Sequence, residues 1–114
     1  MVIPTTGSVV LVKFPFSDLS RSKTRPAVIL ADANRNDWVL CQITSKSYSD
    51  TTAIPITKKD FLTGSLRVTS YARPSKLFTA NRYLMSSEIG ILKNGPFKQI
   101  IDGVINLLQK SVIP

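Results

Sequence analysis

Two residues in the first half of the chain have the type and placement to handle a phosphate, Arg25 and Thr44. A guanidinium is planar, charged at every relevant pH, and binds two phosphate oxygens at once. A positioned arginine therefore suits the charge that develops on a transferring phosphoryl group. A threonine hydroxyl, here with Ser45 beside it, donates a hydrogen bond to a non-bridging oxygen. By type alone each also has an ordinary reading, Arg25 as a strand-edge arginine and Thr44 as a hydroxyl at a strand end. Histidine is absent, which removes the commonest general base and metal ligand and the histidine-dependent triads. Chemistry is left to Arg, Lys, Thr, Ser, Tyr and a few carboxylates. Those carboxylates are scattered from Asp18 to Asp102, and no two take the close helical spacing of a metal or acid–base pair.

Two further groups carry charge. Residues 17–24 form a polar stretch in which Ser20, Arg21 and Lys23 lie among other hydroxyls, with Phe14 and Phe16 at its base. It reads either as a mobile cover that clamps a nucleic-acid backbone while a ring supports an unstacked base, or as a solvated hairpin loop. Arg67, Arg73 and Lys76 either extend a basic track along a groove or discourage aggregation on an exposed edge strand, the second reading suiting Arg67 better. Fifteen Lys and Arg against seven Asp and Glu give a net charge of +8. Without histidine that charge hardly changes across physiological pH, and it points to polyanions or an acidic protein as partners.

The elements that position these residues follow from hydropathy patterning. Residues 9–14 are β-branched and aromatic and make a first strand that Pro15 ends. Pro26 biases Arg25 to extended geometry at the entry of a continuous apolar run, 27–31, of central-strand length. A turn rich in Asp and Asn leads to a third strand over 38–43. An antiparallel meander of these three brings the start of the second strand, at Arg25, to the end of the third, at Thr44. Pro55 confines a short run at 53–56 to an edge. A fifth strand is predicted over 66–72, closed by Arg73-Pro74, and a sixth over 76–79. A helical turn follows at 80–85 and a strand at 86–92. Pro96 is predicted to open a helix whose apolar face is Phe97, Ile100, Ile101, Val104 and Leu108.

The expected fold is mainly β (α+β), a small curved sheet or SH3-like barrel of about six or seven short strands with a C-terminal helix, residues 1–114 forming one domain. A second copy would add apolar burial to so small a core. No apolar run reaches the roughly 20 residues of a spanning helix and the N-terminus lacks a signal-peptide pattern, so no membrane association is expected. The single Cys41 lies in an apolar run, reads as an inert core thiol and fits a cytoplasmic location.

Taken in order, Gly7-x-Val9, Phe14-Pro15-Phe16-x-Asp18-Leu19, Lys23-x-Arg25-Pro26-Ala27-Val28, Cys41-Gln42-Ile43-Thr44-Ser45 and Ser70-x-x-Arg73-Pro74-x-Lys76-Leu77-Phe78-Thr79 resemble the MazF/PemK toxins of type II toxin–antitoxin systems over nearly the whole chain. The resemblance implies an SH3-like barrel, a homodimer whose interface forms an RNA groove, and cleavage of single-stranded RNA at short sequences without metal or other cofactor. It implies that Arg25 and Thr44 are the catalytic pair, with Phe16, Ser20, Arg21, Lys23, Ser45, Arg73 and Lys76 as RNA-binding candidates. It further implies a gating role for residues 17–24 and an acidic antitoxin as protein partner. One departure is visible, in that Gly7 is followed by Ser8 where relatives commonly carry an acid. The alternatives are a non-catalytic toxin of the same barrel that inhibits DNA gyrase, and a non-enzymatic RNA-binding barrel.

Overall fold

The computed structural model describes residues 2–15, 22–47 and 49–113. Among the described residues, seven strands make one antiparallel sheet: β1 (Ser8–Pro15), β2 (Ser22–Asp32), β3 (Asp37–Thr44), β4 (Ile54–Ile56), β5 (Phe61–Gly64), β6 (Ser70–Asn81) and β7 (Met85–Leu92). Their order across the sheet is β4-β6-β3-β2-β1-β7-β5. The sheet curls into a half-barrel, with the helix α1 (Asn94–Gln109) following β7. Single turns of 3-10 helix, Lys58–Asp60 and Arg82–Leu84, precede β5 and β7.

The expected meander β1-β2-β3 is present, and its strands are apolar at successive positions because both faces of the sheet are buried. Val9, Val28, Cys41 and Ile43 join a cluster with Ile100 of the helix. Their neighbours Val10, Val12, Ala27, Ile29 and Leu40 join a second cluster on the other face with Val2 and Met85. A strand buried on both sides needs a continuous apolar run rather than alternation. Burying side chains such as Ile29 and Leu40 completely contributes about 1.5–3 kcal/mol each.

β2 begins earlier than expected. Ser22, Lys23 and Thr24 are not loop but ladder, opposite Pro15, Phe14 and Lys13 of β1. Phe16, Ser20 and Arg21 lie outside the described residues, as does most of the predicted cover.

The second half differs more. The expected strand over 66–72 is absent at 66–69, and Phe61–Gly64 forms β5 instead, paired with β7. Gly64 and Gly90 face each other in that pair, and a Cβ on Gly64 would collide with the Ile89 carbonyl oxygen. Arg73-Pro74 does not end a strand, because β6 runs through it as one element from Ser70 to Asn81. Cys41 pairs with Leu77 and Ile43 with Ala72, so residues 73–76 bulge out opposite the single Gln42. A bulge is where a proline, lacking an N–H, costs the ladder nothing. Pro74 is buried there, and a Cβ on Gly103 of α1 would lie 3.1 Å from its Cγ. The small residue at 103 is what lets the helix approach.

β4 lies at the sheet edge, as Pro55 requires. The helix starts at Asn94, placing Pro96 third rather than first, still within the turn whose N–H groups have no helical partner. Ile100 is buried and Phe97, Ile101 and Val104 pack on the core, whereas Leu108 is exposed because the contact face ends a turn earlier. Among the described residues no helix is long and apolar enough to cross a membrane.

Candidate nucleic-acid site

The β2-β3 ladder pairs Val28 with Cys41 and Ala27 with Gln42. Continuing that register by two residues sets Arg25 opposite Thr44, beyond Pro26, which has no N–H to extend the ladder. Both side chains are half-buried and line one cavity of about 610 Å³, with Ser45 and Lys46 beside them. The connection between β5 and β6 supplies another part of the wall through Ser65, Leu66, Arg67 and Val68. Leu11, Pro26, Ile43 and Ile89 contribute apolar surface.

The hydroxyls are not equivalent. Thr44 Oγ1 accepts from the Lys46 backbone N–H at 3.2 Å, an ST-turn that ends β3. An oxygen held that way keeps its own proton for an acceptor in the cavity. The Ser65 and Ser70 hydroxyls donate to the carbonyls of Leu66 and Val68, at 2.9 and 3.1 Å, and so shape the 65–70 segment. Arg25, Lys46 and Arg67 are the cations of the lining, and no described carboxylate belongs to it. The described lining therefore sets three cations over a partly apolar surface, a combination that suits an anionic ligand.

Of the residues named from the sequence, the fold brings Arg25, Thr44 and Ser45 together. Lys23 is exposed on β2 and Lys76 on the β6 bulge, and neither lines the cavity. Arg73 is engaged elsewhere. Its Nε donates to Asp50 Oδ2 at 3.0 Å, and only 18% of its side chain is exposed. Asp50 also accepts from the hydroxyl and backbone N–H of Thr52, at 2.6 and 2.9 Å. Those bonds, with Thr52 foremost and Arg73 after it, lower the Asp50 carboxyl to about 2. The pair ties the loop after Thr44 to the middle of β6.

Lys46 and Ser65 are not among the residues singled out from the sequence, and Ser70 enters there only within the family motif. Lys46 carried a local signal, being next to Thr44-Ser45. Arg67, for which the sequence leaves open a basic track or an edge strand, reaches the cavity because 66–69 is not a strand. The Cys41 thiol donates to the Arg73 carbonyl at 3.0 Å, and burial pushes its pKa up to about 12, so it stays protonated and inert, as its apolar setting suggested. Among the described residues no three Asp, Glu or Cys side chains converge on one point.

Residues 5–108 match the family described as PemK-like, MazF-like toxin of type II toxin–antitoxin system. No curated protein matches the chain by sequence. Among solved structures, the MazE-MazF complex from Deinococcus radiodurans (form II) is similar at a TM-score of 0.76 and 14% identity, over 97% of this chain and 100% of that one. An endoribonuclease in complex with its cognate antitoxin, from a Mycobacterial species, is similar at 0.71 and 17% identity, over 96% of each chain. The toxin MazF-mt6 of Mycobacterium tuberculosis is similar at 0.70 and 15% identity, over 90% of this chain and 96% of that one. At such identities these likenesses establish the shared fold.

Proposed function

The chain belongs to the PemK-like, MazF-like toxins of type II toxin–antitoxin systems, and on that footing we propose that it is a sequence-specific endoribonuclease that cuts single-stranded RNA, chiefly messenger RNA, in the cytoplasm. The observation that carries this reading is the meeting of Arg25 and Thr44 at one end of two adjacent strands, in a cationic cavity whose described lining has no carboxylate.

In this mechanism the RNA supplies its own nucleophile. The 2′-oxygen attacks the adjacent phosphorus, the bond from phosphorus to the 5′-oxygen breaks, and the products are a 2′,3′-cyclic phosphate and a 5′-hydroxyl. The proton lost from the 2′-hydroxyl passes to water, and the departing 5′-oxygen takes one from water. Arg25 stabilises the doubly charged phosphorane through two N–H donors, and Thr44 donates to a non-bridging oxygen. No side chain is assigned as general base in this scheme, so turnover is modest.

The acting unit is a homodimer, and an acidic antitoxin neutralises it by occupying the same basic surface. Its charge of +8 suits such a partner, and the relatives from Deinococcus and a Mycobacterial species are solved with theirs.

The test is to incubate purified protein with mixed-sequence single-stranded RNA and map the ends. Cleavage leaving cyclic phosphates, lost in an Arg25→Ala variant that remains folded, is expected. Retained cleavage by that variant overturns the role of Arg25, and cutting of a strand deoxy-substituted at the target sugar overturns the transesterification. A wild-type protein that cuts nothing overturns the nuclease reading.

A further inference from the structure

A second concavity of about 410 Å³ adjoins the first. Residues Ser65, Leu66, Arg67 and Val68 line both, so this segment is the divide between them. On the far side the lining adds Lys58, Thr57 and Thr69. Arg67 and Lys58 are both exposed, and no described Asp or Glu lines either concavity. Val68, at 60% exposure, is an unpacked apolar side chain on the divide.

The divide is held in place by the backbone. The ladder of β5 on β7 ends at the Gly64-Gly90 pair, directly before Ser65. Gly64 takes a positive φ of 70°, a turn conformation that suits glycine. The hydroxyls of Ser65 and Ser70 bond to carbonyls within the segment. Thr57 and Asp60 cap the 3-10 turn carrying Lys58, the Thr57 N–H donating to Asp60 Oδ2 at 2.7 Å. Two cations are thus presented from hydrogen-bonded local structure, one on the divide and one past it.

We infer that the RNA strand leaves the Arg25-Thr44 cavity over residues 65–68 and enters the second concavity, with Arg67 and Lys58 binding the next phosphates and Val68 supporting a base between them. This path rests on the nuclease reading for its choice of ligand. It runs between residues 56–58 and 65–69, and so gives Arg67 a role that an edge-strand arginine would not have. Arg73, bonded to Asp50, and Lys76, on the β6 bulge, lie off it.

The probe is a short mixed-sequence single strand with 2′-deoxy sugars only, which binds but lacks the nucleophile. Its affinity is measured over a series of salt concentrations for the wild type, Arg67→Ala, Lys58→Ala, the double variant and Lys98→Ala, the last an exposed lysine of α1 outside both concavities. Each cation that neutralises a single-strand phosphate contributes about 0.7 to the slope of log affinity against log salt. Arg67→Ala and Lys58→Ala should each lower the slope by about that much, the double variant by about twice as much, with Lys98→Ala unchanged. Wild-type slopes in Arg67→Ala and Lys58→Ala overturn the path, as does a wild type that does not bind the probe. End-mapping of RNA incubated with the wild type separates the two proposals. Cleavage with unaltered slopes overturns the path and leaves the nuclease reading standing, whereas lowered slopes without cleavage support the path and overturn the nuclease.

Discussion

Replacing Thr44 with valine removes one hydroxyl and keeps a β-branched side chain of similar size at the end of β3. The structural loss is small. Thr44 Oγ1 accepts one bond, from the Lys46 N–H at 3.2 Å, in an exposed turn where that N–H can turn to water. Such a bond contributes about 0.5–1 kcal/mol, a fall in melting temperature of roughly 4 °C or less for a domain of this size. If the hydroxyl proton is donated to a non-bridging oxygen as the phosphorane forms, its removal costs much more, about 10²- to 10³-fold in rate, or roughly 3–4 kcal/mol of barrier. The chemical effect thus exceeds the structural one severalfold, and the two separate cleanly in single-turnover cleavage of end-labelled RNA with a thermal melt run alongside. Thr44→Ser keeps both the turn bond and the donor and should retain most of the activity. A Thr44→Val variant that cuts at the wild-type rate, or that loses activity only in step with its melting point, refutes the reasoning.

The Asp50 carboxyl is held at about 2 against an ordinary 3.8, so its contribution is fully present above about pH 4 and is lost as pH falls toward 2. Denaturant titrations should therefore show the wild type and Asp50→Asn converging in that window, and a constant gap between them would contradict the bonding described. Gly64→Ala meets the Ile89 carbonyl and a left-handed φ of 70° together. It should destabilise the fold by more than about 1 kcal/mol, and hydrogen exchange in β5 should speed up. Ser8 is fully buried and its hydroxyl has no hydrogen-bond partner among the described residues. Ser8→Ala should therefore stabilise by about 1 kcal/mol, and a lower urea midpoint would show that the hydroxyl is satisfied after all.

The first three strands and the helix were legible because their signals are local. The continuous apolar run at 27–31 has the length of a central strand, and Pro26 marks where its ladder with β3 begins. Phe97, Ile100, Ile101 and Val104 repeated at helical spacing because one face of α1 packs on the core. Legibility failed where a remote partner decides the outcome. Residues 66–69 alternate like a strand but have none to pair with, since β5 at Phe61–Gly64 takes the edge of β7. Arg73-Pro74 looks like a stop signal, and the bulge opposite Gln42 hides the proline where no ladder bond is needed. Of the apolar helix face, only Leu108 was misplaced, because periodicity cannot tell where the surface beneath a helix ends.

For the site the same division holds. Sequence alone determined that Arg25 and Thr44 share one end of an antiparallel pair, since a short turn between two strands forces the start of one to meet the end of the next. It also determined the basic charge and the absence of histidine that together narrow the chemistry. Only the tertiary structure decided which cations join that pair. Arg67 comes to the cavity, and Arg73 is drawn away to Asp50, through contacts between segments far apart in the chain. The close Gly64-Gly90 approach sets residues 65–68 against the end of β3. Such contacts depend on the backbone separation of β5 and β7, a quantity that no local pattern of residues encodes.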